Sequence, residues 1–382
     1  MTRDYPRDEN PPVTVRHRPF ALDLTRPLGT ARGKIRSREG FVIAVERETG
    51  VTGVGEATPL PGWTESRDAC ATALDELDGR AEAEPPLESL NAEATPAARH
   101  GVSLALADAA ARDAGERLAD RLADGAGVES APADAVPINA TVGDAGPDET
   151  AAEARRAVEA GFDCLKLKVG ARDVDADVER VRAVREAVGD AVALRADANG
   201  AWDRGTARRA LDALAAFDLA YVEQPLPADD LDGLAALRER DPADGSGGGT
   251  GGGDGGGGVP IAADESVVDR GIDAVLDAGA ADAVVLKPMA LGGPDRALAA
   301  GLRARSAGVD PVVTTTIDAV VARTAAVHVA AAIPDVSPCG LATGALLDED
   351  LAPDPCPIAD GRIAVPAGPG LAGGAFDDLR RW

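Results

Sequence analysis

The sequence predicts an α/β protein: a modified (β/α)7β barrel of the TIM type, preceded by an α+β capping domain. Three observations lead there. From Pro137 onward, short apolar runs alternate with Ala- and Arg-rich helical stretches; charged residues ending successive runs recur at a nearly constant interval; and residues 13–130 follow a different pattern. Strands alternating with helices imply a parallel sheet, and seven or eight such units close into a barrel.

Residues 1–12 are polar and proline-rich, with no apolar signal segment, and read as a frayed tail of a cytoplasmic protein. Residues 13–130 make the expected capping domain. Val13–Leu24 and Gly40–Glu48 alternate as antiparallel strands do, while Arg67–Leu77 and Thr95–Asp120 read as helices. The barrel is expected over residues 135–345. Its strand-like runs are Val136–Val142, Cys164–Val169, Ala193–Ala198, Ala220–Glu223, Pro260–Asp264, Ala283–Lys287 and Pro311–Thr316, with a weaker eighth near Asp335–Cys339. Helical stretches such as Asp148–Ala160 and Asp175–Val188 lie between them. Residues 346–382, with many Gly and Pro, are expected to pack back on the capping domain.

The interval tests the barrel reading. Lys168 to Asp197 is 29 residues, Asp197 to Glu223 is 26 and Asp264 to Lys287 is 23, whereas Glu223 to Asp264 is 41. The excess lies in Gly245–Gly258, a glycine tract broken only by Ser246, Thr250 and Asp254; without these 14 residues the interval falls to 27. The tract follows a helical stretch (Leu231–Arg240) and precedes a strand. It therefore reads as a flexible insertion at the barrel's N-terminal face, opposite the face where barrel active sites lie. No G-x-x-x-x-G-K-[ST] pattern supports a phosphate loop.

Composition excludes several classes. With 39 basic and 65 acidic residues the formal charge is −26, which disfavours nucleic acid as a partner. The acidity is spread along the chain, as suits solubility at high salt and fits a salt-loving source. No apolar run reaches the roughly 18 residues of a membrane span. Hydrophobic residues are 45% and aromatics only 3%, so Ala, Val and Leu must fill the core. Cys70, Cys164, Cys339 and Cys356 show no C-x-x-C spacing and read as reduced packing residues.

Lysine usage is more telling. Of 39 basic residues only four are Lys (34, 166, 168 and 287), and three of them sit in two strand-like segments. Arginine stays protonated, whereas a buried lysine can shift toward neutrality and exchange protons. Lys168, Asp197, Glu223 and Asp264 end four consecutive strands, and Lys287 ends the next. Strand ends of a barrel share one mouth. Three carboxylates there repel unless a cation joins them, and hard oxygen ligands suit Mg²⁺, with Mn²⁺ as the alternative. Lysines on either side of a bound carboxylate could then exchange its α-proton while the metal stabilises the enediolate. Each residue alone has a dull alternative, such as a turn for Asp197-Ala198-Asn199-Gly200 or a loop charge for Lys287; the recurrence at one strand end per repeat argues against coincidence.

As a set, Lys166-x-Lys168, Asp197-x-Asn199, Glu223-Gln224-Pro225, Asp264-Glu265-Ser266 and Lys287-Pro288 resemble the enolase superfamily, muconate-lactonizing subgroup. Enolase-superfamily sites are a known case of a Lys or His base working with one or two Mg²⁺ ions. The resemblance implies Lys168 as the acid/base, Lys166 as its electrostatic neighbour and Lys287 across the substrate. It implies Asp197, Glu223 and Asp264 as metal ligands, supported by Asn199, Gln224 and Glu265. Arg195, two residues before Asp197, points the same way along the strand and is expected to pair with the carboxylates.

Within that subgroup, Gly55–Gly62, the Arg26–Gly40 stretch as a mobile-loop candidate, and Gly340-Leu341-Ala342-Thr343-Gly344 followed by Asp348 and Asp350 are similar to the o-succinylbenzoate synthase group. That likeness implies a small carboxylate substrate, 2-succinyl-6-hydroxy-2,4-cyclohexadiene-1-carboxylate, dehydrated to o-succinylbenzoate. Substrate contacts are expected from Thr314, Thr316, Asp318, Gly340 and Leu341, although Thr314-Thr315-Thr316-Ile317-Asp318 stands where the group commonly has a Ser-rich run with Glu. A homo-oligomer is compatible with this family. N-acylamino acid racemase is the nearest rival. Dipeptide epimerases usually carry an Asp-x-Asp pair after the eighth strand, where this chain has Cys339-Gly340-Leu341. The related acid-sugar dehydratases need a His on the seventh strand, but His328 falls mid-helix and reads as a core residue; His17 and His100 read as structural. An inactive barrel serving as a binding module predicts loss of a lysine or ligand, and the chain retains all of them.

Overall fold

A computed structural model describes residues 13–30, 33–77, 81–82, 87–239 and 258–381. The tail 1–12 and nearly all of the Gly245–Gly258 tract lie outside the described residues. The chain opens with β1 (Val13–Thr30) and β2 (Gly33–Arg47), a long antiparallel hairpin whose register shifts between Asp23 and Leu28. Pro27 lies in the shifted stretch, and proline cannot donate to a ladder. The described residues of Arg26–Gly40 thus extend this hairpin. β3 (Thr52–Ala57) pairs with β2 and the short β4 (Ala81–Glu82) with β1, giving the order β3-β2-β1-β4.

Helix α1 (Arg67–Asp75) is capped by Ser66, which accepts from the Ala69 amide at 3.2 Å. Helix α2 (Pro96–Ala114) crosses the sheet. Gly53 and Gly55 permit its approach: a Cβ at these positions would stand 2.0 Å from the Ala105 carbonyl oxygen and 1.9 Å from that of Gly101. The sequence predicts one helix from Thr95 to Asp120. The structure breaks it at Gly115, whose φ of +73° is open to glycine, and α3 (Leu118–Ala126) follows.

The run Val136–Val142 also divides. β5 (Ala135–Pro137) joins an antiparallel sheet with the late strands β13 (Ile358–Ala359) and β14 (Arg362–Ala364), whereas β6 (Ala140–Val142) begins the barrel. The chain then alternates: α4 (Pro147–Glu159), β7 (Cys164–Lys168), α5 (Val174–Val188), β8 (Ala193–Asp197), α6 (Arg204–Leu214), β9 (Leu219–Glu223), α7 (Leu231–Arg238) and β10 (Ile261–Ala263). Next come α8 (Glu265–Arg270), α9 (Ile272–Asp277), β11 (Ala283–Leu286), α10 (Pro288–Leu291), α11 (Pro294–Ser306), β12 (Asp310–Val313) and α12 (Val320–Ala332). The seven parallel strands run in the order β12-β11-β10-β9-β8-β7-β6. The eighth stave is the segment around Cys339 and Gly340, bridging Ile138 on one side and Thr314 on the other. The fold is the capped (β/α)7β barrel expected from the sequence.

Side chains alternate across each stave. Leu165, Leu167, Leu194, Val222, Val284 and Leu286 point outward into the helix layer, while Tyr221, Ala262, Ala283 and Val312 form a small cluster inside the barrel. The last helix, α13 (Asp377–Arg380), returns to the first domain. Leu371, Phe376 and Leu379 pack among Val42, Val54 and Leu104, and the buried Arg380 donates to Asp108 Oδ2 of α2 at 2.9 Å. All four cysteines are free and buried, and among the described residues no helix is long and apolar enough to cross a membrane.

Candidate active site

Strand register assembles the site. Lys168 lies beside Asp197 and Asp197 beside Glu223 in adjacent staves, and Glu223 pairs with Ala262, two residues before Asp264. Lys166 Nζ bridges two carboxylates, 2.9 Å from Glu223 Oε1 and 3.2 Å from Asp197 Oδ2. Lys168 Nζ donates to Asp197 Oδ2 at 2.6 Å and Asn199 Oδ1 at 2.9 Å. Lys287 Nζ is hydrogen-bonded to Asp264 Oδ1 and lies 3.6 Å from the centroid of the Trp63 ring. The three carboxylates are buried, Lys166 and Lys287 nearly so, and the Lys168 side chain is 40% exposed. Lys168 is thus the lysine most open to a ligand.

The supporting groups hold these acids from behind. Asn199 and Gln224 adopt left-handed backbone angles, φ of 46° and 40°, just past the strand ends. Gln224 Oε1 accepts from the Asp264 and Ser266 amides at 3.0 and 3.1 Å, and its Nε2 donates to Ser266 Oγ and the Leu226 carbonyl, each at 2.8 Å. Both lone pairs and both amide hydrogens of this carboxamide are therefore committed to placing Asp264 beside Glu223. Asn199 Nδ2 donates to Glu265 Oε1 at 3.2 Å, while Glu265 Oε2 is buried without a partner.

Charge is out of balance here. Burial pushes the Glu223 carboxyl well above the usual range, reinforced by Asp197. Burial likewise raises Asp264, against the pull of Lys287. At Asp197 burial is outweighed by Lys168 and Lys166, which hold the carboxyl far below its ordinary value. Burial opposes the charge of Lys166, yet Glu223 and Asp197 keep it firmly protonated. Among the described residues no three His, Cys, Asp or Glu side chains converge as a ready-made metal cage. The ammonium groups of Lys166 and Lys287 bond these acids directly. Three buried carboxylates and an unpartnered Glu265 oxygen are hard oxygen donors of the kind Mg²⁺ takes.

Arg195 is placed differently from its sequence reading. Its guanidinium donates to Asn139 Oδ1 at 3.2 Å and to the Pro338 carbonyl, and lies over Tyr221 at 4.7 Å. One turn of the pleat below Asp197, it meets the floor of the barrel rather than the carboxylates. Of the anticipated substrate contacts, Thr314 bonds the Gly340 carbonyl at 2.8 Å across the closing stave. Thr316 donates to Asp318 Oδ1 at 2.5 Å, and Asp318 is buried against the capping domain near Arg38 and Glu56. Leu341 faces outward, packed with Val313, Ala326 and Val327, so its side chain does not line the mouth. His328 is a core residue, as its mid-helix place implies: it accepts from the Ala119 amide at 3.2 Å, contacts the Leu371 carbonyl at 2.6 Å, and burial lowers its pKa to about 4.

Three further residues, two of them inside segments the sequence singles out, have no individual role assigned by the sequence. Trp63 directly follows the Gly55–Gly62 loop, Arg38 lies in β2, and Glu56 lies in β3. Glu56 is fully buried and caps α12, accepting from the Ala319 and Ala322 amides at 2.8 Å each. Only tertiary contact reveals what these three do.

The family model described as Enolase C-terminal domain-like matches residues 149–374. The o-succinylbenzoate synthase of Thermobifida fusca is 42% identical over 237 residues, covering 61% of this chain and 67% of that protein. The L-Ala-D/L-Glu epimerase of Bacillus subtilis is 30% identical over 365 residues, covering 92% of this chain and 93% of its own. A substrate-liganded structure of that epimerase superposes with a TM-score of 0.80, covering 95% of this chain and 98% of that one at 29% identity. A dipeptide epimerase from Enterococcus faecalis, solved with Mg and the dipeptide L-Leu-L-Tyr, gives a TM-score of 0.78 at 26% identity over 94% of this chain and 99% of its own. With the match spanning most of the barrel, the chain belongs to the enolase superfamily.

Proposed function

We propose that this protein is an o-succinylbenzoate synthase, a hydro-lyase that dehydrates 2-succinyl-6-hydroxy-2,4-cyclohexadiene-1-carboxylate. The observation that carries the choice is the 42% identity to the Thermobifida fusca synthase, against 30% for the Bacillus subtilis epimerase. The closing stave adds support: Cys339 and Leu341 are fully buried and Gly340 has no side chain. None of the three offers a carboxylate to hold a dipeptide's ammonium group.

In this reading Lys168, as the free amine, takes the α-proton; the C–H electrons pass into the carboxylate as an enediolate. Their return expels the ring hydroxyl, and the proton on Lys168 Nζ leaves with it as water, so the ring becomes aromatic. Lys168 suits both transfers because its Nζ is the exposed one and Asn199 and Asp197 fix its direction. Lys166 remains charged between Asp197 and Glu223. Lys287, gripped by Asp264 and Trp63, presents positive charge from the other side. Asp197, Glu223 and Asp264 would hold Mg²⁺; when bound, the ion would supply positive charge to the substrate carboxylate. Supplying the cyclohexadiene with Mg²⁺ and following aromatisation by absorbance tests the reading. An N-succinylamino acid in D₂O, followed for α-deuteration, tests the racemase alternative. Exchange of that substrate without aromatisation of the first would reverse the assignment.

A further inference from the structure

The Trp63 ring reaches Lys287 from a loop of the capping domain, and that loop is held at both ends. Leu60–Thr64 is a compact turn: the Trp63 and Thr64 amides both donate to the Leu60 carbonyl at 2.9 Å, and Thr64 Oγ1 accepts from the Leu60 amide at 2.7 Å. Glu65, immediately after it, accepts from the Ala97 and Ala98 amides at the start of α2, at 3.0 and 2.9 Å. On the other side Arg38, only 3% exposed, donates to the Thr58 carbonyl at 2.8 Å and to that of Pro59 at 3.2 Å.

The same guanidinium reaches into the barrel. Arg38 Nε donates to the Ile317 carbonyl at 3.1 Å. Ile317 has φ +62°, a conformation that costs a β-branched residue dearly and persists only when its surroundings enforce it. The strained turn sits between Thr316, whose hydroxyl bonds Asp318, and Ala319, whose amide bonds Glu56. One planar fork thus joins the turn after the seventh barrel strand to the loop bearing Trp63. Since Leu60–Thr64 is internally rigid, fixing Thr58 and Pro59 fixes the ring.

We propose that Arg38 is a positioning residue: by bonding Ile317, Thr58 and Pro59 at once, it sets the Trp63 ring over the Lys287 ammonium and so orients that lysine from the capping domain. The reading of Lys287 as a catalytic group rests on the function proposed above; the placement of Trp63 does not.

Two measurements separate these. In Arg38→Lys, acrylamide quenching of Trp63 fluorescence, taken as the difference from a Trp63→Phe background, should at least double. Arg38→Gln, which loses the three-pronged fork but keeps one amide donor, should move it the same way and serves if Arg38→Lys does not fold. Unchanged quenching in whichever variants fold overturns the proposal, whatever the substrate. For turnover, Arg38→Lys should lower kcat/KM by roughly tenfold to a hundredfold, the scale of a misplaced catalytic group. Adding Trp63→Leu should cost no more than Trp63→Leu alone, because Arg38 acts through the ring. Additive losses in this cycle would show a separate structural role and sink the inference. Wild-type protein with ordered Trp63 but no aromatisation would instead count against the proposed reaction alone.

Discussion

Lys166 and Lys168 converge on one oxygen: Asp197 Oδ2 lies 3.2 Å from the first Nζ and 2.6 Å from the second. They nevertheless occupy different settings. Lys166 is enclosed between Asp197 and Glu223, while Lys168 opens toward the mouth. A K-x-K pair on one strand face puts both side chains inside the barrel, one pleat apart, and depth then separates their roles.

Replacing the outer lysine tests its role. Lys168→Arg keeps a cation able to bond Asp197 but cannot act as a base near neutrality. Aromatisation and α-deuteration should both fall by about 10²- to 10⁴-fold, the usual range for lost general acid–base catalysis, with an unchanged circular dichroism spectrum. Full turnover in this variant would remove Lys168 from the mechanism.

Metal binding should be visible without turnover. Mg²⁺ at a hundredfold excess over its Kd should stabilise the protein by about 2.7 kcal/mol, read as a rise in Tm. Glu223→Gln and Asp264→Asn should each abolish most of that rise. A Tm indifferent to Mg²⁺ in the wild type would reject these acids as ligands.

Glu56 gives a pH signature away from Asp197, Glu223 and Asp264. Burial, reinforced by Asp318, raises its carboxyl to about 7 from an ordinary 4.5. A carboxyl with a raised folded pKa binds more protons folded than unfolded, so stability falls as pH climbs between those values. Glu56→Gln should flatten the decline of Tm from about pH 4.5 to pH 7 relative to wild type. Parallel Tm curves for the two proteins would show that Glu56 does not titrate in that window.

Arg380 neutralises Asp108, whose Oδ1 also accepts from the Leu371 amide at 2.8 Å and Oδ2 from the Val54 amide at 2.9 Å. Arg380→Met should cost about 3–5 kcal/mol, because it strands a buried charge. Urea unfolding gives the value directly; a loss below about 1 kcal/mol, the level of an exposed pair, would mean the cluster is hydrated.

The barrel and the acids at its mouth are legible because strand periodicity and side-chain alternation are local rules. Lys168, Asp197, Glu223 and Asp264 each end a repeat, so finding one interval locates the rest. Even the 41-residue gap is interpretable once the glycine tract is set aside. Arg195 shows where the rule stops. Its parity is right, but depth along the strand places it at the floor with Asn139 and Tyr221. The segments holding Arg38 and Glu56 are legible, but the roles of Arg38, Glu56 and Trp63 are not: their partners lie up to 279 residues away, at Ile317 for Arg38, and no local pattern reports such a contact. Leu341 departs from expectation because a stave with only single bridges gives little periodic signal from which to infer facing.

The Asp108–Arg380 pair carries a consequence for how the molecule comes into being. Asp108 lies on helix α2, yet the cation that completes its buried charge follows 272 residues later. During synthesis the amino-terminal unit emerges with an unmatched anion and a bare apolar patch at Val42, Val54 and Leu104. Domains commonly fold in the order they leave the ribosome; here the capping domain waits for α13, and a nascent chain stalled before α13 leaves that charge and that patch uncovered.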